Sequence, residues 1–294
     1  MGGLDAIKLA HTLEKVEGLG NSYSAACWWT AMLTRREIFR LFGVCCVCGL
    51  PGRTSAQTPR IYVPPSTHGI VVCGNEPGSS ATFSPDQRLI RSDSGIPELD
   101  RNIALERRTL DYIFGFVNAT GTRNWGRPSF DFYDDRGRRI GARAVRKDND
   151  EATIYLGLSM IQDEVRANTM HWQVVIIGTL AHEWAHAYQY KSQLDERLFR
   201  WETHADFLAG WYIGIKQATG TQIDASVFSQ ALFERGSRLG RFSEDAYGLP
   251  QQRVNAMEAG RRFGYAQFRR DGRPDASAAA ATGYEVVSRI GASQ

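Results

Sequence analysis

Two histidines four residues apart, with a glutamate directly after the first, stand out in this 294-residue chain: His182-Glu183-Trp184-Ala185-His186. On a helix, side chains at i and i+4 share a face, so both imidazoles can reach one zinc ion at about 2.0–2.1 Å. Glu183 lies about 100° further round the helix. It borders the metal without ligating it, and is placed to take a proton from an attacking water and hand it to a leaving amine. Chance is a poor source for the pattern: a chain with 6 His and 15 Glu in 294 residues is expected to hold about 0.006 such motifs. The competing reading is a buried helix whose histidines hydrogen-bond to core carbonyls.

A catalytic zinc needs a third protein ligand and an open fourth position. The next helical stretch, Trp201-Glu202-Thr203-His204-Ala205-Asp206-Phe207-Leu208-Ala209-Gly210, places Glu202 and Asp206 one turn apart on a common face. Glu202 is the expected third ligand. Asp206 is expected to accept the outer ring N–H of a zinc-bound histidine, which fixes the tautomer and raises the basicity of the ring. His204 points to the opposite side of its helix and is not expected to ligate.

The strings around these residues, AHEWAHAYQ and ETHADFLAGWY, resemble the glutamate-ligand zinc metallopeptidases, the gluzincins, and the bacterial neutral zinc metallopeptidase family in particular. In that family a Gln-Arg pair follows downstream, and Tyr247-Gly248-Leu249-Pro250-Gln251-Gln252-Arg253-Val254 is similar to it, with Tyr247 where the family commonly has His. The resemblance covers residues 150–260. It implies a zincin-like domain, one Zn²⁺ per chain and hydrolysis of peptide bonds in a peptide or protein substrate. Tyr247 is read as a candidate hydrogen-bond donor to the oxyanion of a tetrahedral intermediate, against an ordinary packing role.

The elements that must position these residues are legible in the apolar pattern. Leu99, Ile103, Leu110, Ile113, Phe114 and Val117 recur at helical steps, with Gly121 as the stop. Phe130, Phe132 and Ile140 flank an Asp134-Asp135-Arg136-Gly137 turn, and Ala152–Leu156 is a second β-rich run; together they predict a small antiparallel sheet. The run at 152–156 is either an edge strand that pairs with an extended peptide or an interior strand. Asn168 is a candidate cap for a buried helix through Tyr188, and Gly178 on it is expected to allow close packing. Further helices are expected over 195–216, 224–239 and 250–263, and the alanine tract at 276–281 opens a tail expected to be disordered. The fold class is therefore α+β, mainly helical, with the metal helix crossed by a helix that carries the third ligand.

Composition bounds the rest. With 43% hydrophobic and 23% charged residues and a formal net charge of +3, the chain has an ordinary globular profile. Residues 1–56 carry six basic and four acidic groups, leaving 29 basic against 28 acidic over 57–294. A near-neutral body carries no nucleic-acid footprint. Four of the five cysteines also fall in the first 56 residues, so Cys73 alone remains and no intrachain disulfide is expected beyond them.

From Met32 the order is Arg35, Arg36 and Arg40, an apolar run from Leu41 to Leu50, then small residues to Ala56. This predicts a signal peptide over 32–56, too short to remain as a membrane span. Thr34-Arg35-Arg36-Glu37-Ile38-Phe39-Arg40 resembles the twin-arginine export signature, beside the plainer reading of a general secretory signal. Residues 1–31 are read as an extension produced by an early start assignment, or as a long leader. The chain is expected to be exported, to the periplasm or beyond, with 57–294 as a zinc metallopeptidase domain. A non-catalytic envelope protein that keeps zinc as a fold staple is the alternative.

Overall fold

The computed structural model describes residues 85–118, 126–136, 141–146, 151–167, 171–192, 198–238 and 249–292. The predicted signal peptide, Cys73, Gly121, Asn168 and Tyr247 lie outside them. The described part is a mostly helical α+β arrangement with one small sheet. Among the described residues no helix is long and apolar enough to cross a membrane.

Helix α1, Pro97–Ile113, opens with Pro at its first position and Glu98 and Asp100 in its first turn, where acids suit the helix dipole. It stops earlier than the expected Val117: Phe114 is its cap, and Gly115 follows at φ +73°, a conformation that glycine adopts without cost. Leu99, Ile103, Leu110 and Ile113 turn into the core.

The sheet has strands β1 (Ile90–Arg91), β2 (Ser129–Tyr133), β3 (Ala142–Arg146) and β4 (Ala152–Gly157), in the order β1-β2-β4-β3. It is mixed, which corrects the expected antiparallel sheet: β4 inserts between β2 and β3, parallel to β2 and antiparallel to β3. All six residues of β4 are buried, and an apolar run covered on both faces takes the central place. β3 carries Arg143 and Arg146 and ends the sheet, where charged side chains are tolerated. Residues 152–156 are therefore an interior strand, not an edge open to a peptide.

Helix α2, Leu158–Ala167, follows β4 directly and has no counterpart among the expected elements. At ten residues its apolar positions cover too short a window to separate from the preceding strand. Helix α3, Trp172–Ser192, carries both motif histidines; it is buried along nearly its whole length, as its continuous apolar character requires. Trp184 donates its ring N–H to Asp111 at 2.9 Å, and Arg127 binds the same carboxylate at 2.8 Å, which ties α3 to α1 and to the start of β2. Gly178 behaves as expected: a Cβ there would enter the ring of Phe228, on helix α5, Ala225–Arg238.

Helix α4, Leu198–Ala218, and helix α6, Pro250–Asp271, form the closest contact in the fold. Gly210 and Gly214 face Gly260 and Gly264, and a Cβ on any of them would strike a backbone atom of the opposite helix. α6 begins with Pro250, and Gln252 Oε1 accepts the Leu249 N–H at 2.8 Å, closing an end that would otherwise leave the donor open. The register then sets Arg253 two turns before Gly260 and Asp206 one turn before Gly210.

Gly210→Ala measures this approach. Alanine improves helix propensity by about 1 kcal/mol, but the obstructing atom is the Met257 carbonyl, which no side-chain rotation removes. Overpacking wins, and a net loss of about 2 kcal/mol is expected. Thermal unfolding is expected to move down by about 4–8 °C; an unchanged or raised midpoint would show that the helices separate freely.

The alanine-rich end forms helix α7, Ala276–Ala292, which corrects the expected disordered tail. Alanine is the strongest helix former, Asp275 caps the start by accepting the Ala278 N–H at 2.9 Å, and Ala279 and Val287 are fully buried against the core. Small side chains let α7 pack closely on α4 and α6.

Candidate metal centre

His182 and His186, one turn apart on α3, meet Glu202 from α4. The ring nitrogens His182 Nε2 and His186 Nε2 are 3.0 Å apart, Glu202 Oε2 is 3.3 Å from the first, and Glu202 Oε1 is 3.6 Å from the second. One ligand atom from each residue falls within 4.8 Å of the others, and all three residues are buried. This buried group can bind a metal ion.

The chemistry of the donors fits a cation. Two nitrogens and a carboxylate converge at a buried point, and Glu202 Oε2 is buried without a well-formed hydrogen bond. A buried carboxylate oxygen without a full hydrogen bond is costly, and a divalent ion would reduce that cost. Imidazole nitrogen and carboxylate oxygen at three positions are the donor set of open zinc sites.

Asp206 Oδ1 lies 2.9 Å from His182 Nδ1, the ring nitrogen turned away from the cluster. Arg253 then grips Asp206 with both arms, Nε to Oδ2 at 2.6 Å and Nη2 to Oδ1 at 3.0 Å, and Nη2 also comes within 3.8 Å of Glu202 Oε2. Sequence reasoning assigned Arg253 no role. Its signal was the downstream Gln-Arg pair, in which Gln252 closes the helix end and Arg253 supplies the buried charge.

Electrostatics follow from that charge. Burial opposes ionisation of Asp206, but Arg253 and His182 outweigh it and hold the carboxyl at about 2. Glu202 is lowered in the same way: burial is overcome by His186, His182 and Arg253. Burial also disfavours a charged His182, yet its contacts with Asp206 and Glu202 raise it to about 9.

His204 is outside the cluster, as its helical position implied. Its ring Nδ1 is 3.0 Å from Gln189 Nε2 and its Nε2 is 2.9 Å from the Ala280 carbonyl oxygen on α7. Burial pulls it down to about 4. Gln189 in turn lies 2.7 Å from His186 Nδ1 through Oε1. Trp201 stacks on the His186 ring at 5.9 Å between centroids and 15° between planes. Glu183 is buried on α3 directly after His182.

Glu202→Ala separates the ligand assignments. It is expected to lower the bound metal below one per chain after dialysis, read by elemental analysis. Undiminished metal would transfer the third-ligand role to Asp206 or His204.

Comparison with protein-family models, with curated proteins and with solved structures finds no match to this chain.

Proposed function

We propose that this chain is an exported zinc-dependent metallopeptidase that hydrolyses peptide bonds, with Glu183 as general base. The observation that carries the reading is the convergence of His182, His186 and Glu202 from two helices on one buried point, with a carboxylate next in sequence to the first histidine. Zinc bound there would supply Lewis-acid activation of a water and polarisation of the scissile carbonyl.

The chain's own residues account for the remaining requirements. Glu183 takes the proton of the attacking water and delivers it to the departing amine. Asp206 orients the His182 ring so that Nε2 faces the cluster. Arg253 keeps Asp206 ionised and offsets the charge of two buried carboxylates. Trp201 and the helix contacts exclude bulk water from the ligand side of the centre, which strengthens these interactions. Tyr247, proposed to donate a hydrogen bond to the oxyanion, lies outside the described residues.

The test is digestion of a diverse peptide mixture by the zinc-loaded chain, read by mass spectrometry. Cleavage that disappears on chelation and returns with zinc supports the peptidase and maps its specificity. Absence of cleavage with zinc bound would favour the zinc-stapled, non-catalytic alternative.

A further inference from the structure

We propose that Gln189 and His204 are positioning residues of the metal centre, through which α7 holds the His186 ring in the one tautomer that turns a lone pair toward the cluster. The inference rests on His182, His186 and Glu202 acting as a metal centre; it does not depend on peptide hydrolysis.

The polarity of the chain of contacts follows from two groups that can only accept. The Trp201 carbonyl oxygen is 2.9 Å from one terminal atom of the Gln189 amide, so that atom is the nitrogen, donating. The amide oxygen is thereby left facing His186 Nδ1 at 2.7 Å. An amide oxygen accepts, so Nδ1 carries a hydrogen, and in the neutral ring that a metal requires Nε2 is bare. That bare nitrogen is the atom 3.0 Å from His182 Nε2 and 3.6 Å from Glu202 Oε1.

The second hydrogen of the Gln189 amide has its own acceptor, His204 Nδ1 at 3.0 Å. His204 must then carry its proton on Nε2, and Nε2 faces the Ala280 carbonyl oxygen at 2.9 Å, again an acceptor only. Both hydrogens and the oxygen of the Gln189 amide are used, and both rings are left a single neutral tautomer. The two fixed ends are backbone carbonyls, Trp201 on α4 and Ala280 on α7.

Packing leaves the chain little freedom to reverse. Gln189 and His204 are almost completely buried, so water does not compete for these bonds. Trp201 fixes the plane of the His186 ring by stacking. On α7, Gly283 makes room for the His204 ring: a Cβ there would lie 2.9 Å from His204 Cδ2 and 3.0 Å from Nε2. The last helix, which has no ligand of its own, thus helps set which nitrogen His186 offers.

The proposal is tested on the full chain in two ways. Two-bond ¹H–¹⁵N correlation on the metal-free protein reads the proton positions directly; His186 protonated on Nδ1 alone and His204 on Nε2 alone are expected. Zinc affinity is then measured by competition with a chromophoric chelator. Gln189→Met keeps the length and burial of the side chain but removes the amide, and is expected to weaken zinc binding by about 10- to 100-fold. His204→Leu is expected to weaken it less, because Gln189 keeps the Trp201 carbonyl. A proton on His186 Nε2 in the parent, or parent-like zinc affinity in a folded Gln189→Met chain, would overturn the proposal. If that variant does not fold, the parent spectrum decides alone. A parent that binds no zinc would defeat the metal-centre reading together with this one, whereas zinc binding without peptide hydrolysis would defeat only the peptidase.

Discussion

Glu183→Gln is expected to give a chain that folds, binds zinc as the parent does and hydrolyses peptides about 10²–10⁴ times more slowly. The substitution keeps the volume and one oxygen of the side chain but removes its ability to accept a proton. Glu183 ligates nothing in the cluster of His182, His186 and Glu202, so metal content is not expected to move. It is also buried, so a neutral amide places no new charge in the core. Parallel measurement of bound zinc and of peptide cleavage separates the two roles. Full metal with little turnover assigns Glu183 to proton transfer; a variant that cleaves like the parent removes it from the mechanism, and one that loses zinc makes it a ligand.

The second large effect is expected in stability. Arg253→Met removes the guanidinium that touches both Asp206 and Glu202, leaving two buried carboxylates with only the His182 and His186 rings beside them. Breaking a buried ion pair from one side costs about 3–5 kcal/mol, because the surviving charge has lost water and partner alike. Urea unfolding of the metal-free protein is expected to show a loss of this size.

Arg253→Lys should recover only part of that loss, since an ammonium cannot reproduce the two-armed contact with Asp206. Zinc should restore some stability to either variant by binding the folded state alone. A metal-free Arg253→Met chain as stable as the parent would mean that protonation of the carboxylates compensates fully. The guanidinium would then be dispensable to the fold.

Chemistry of single elements was legible in the sequence because helical geometry relates neighbours without reference to the rest of the fold. His182 with His186, and Glu202 with Asp206, are pairs one turn apart; their shared faces follow from 3.6 residues per turn. The buried character of α3, the close contact at Gly178 and the helices expected over 195–216, 224–239 and 250–263 follow from local pattern in the same way, although α6 runs on past 263 to Asp271. Elements whose state depends on neighbours were misread. The alanine tract has no apolar stripe bulky enough to announce itself, yet its small side chains are what allow α7 to settle on α4 and α6.

What only the tertiary structure decided is how separate elements meet. β4 lies between β2 and β3, not beside a hairpin, because pairing order depends on which strand the core covers on both faces. The ion pair between Asp206 and Arg253 joins residues 47 positions apart, and the contact from His204 to Ala280 joins residues 76 apart. Local periodicity holds no information about such distances. The sequence by itself determined which side chains on one helix can act together; the packing of glycine against backbone between α4 and α6, and of α7 against His204, determined what charge and what hydrogen bonds surround them. The physical reason is range: a helix repeats every 5.4 Å and can be read from its own residues, whereas burial and pairing belong to surfaces that exist only once the chain has folded.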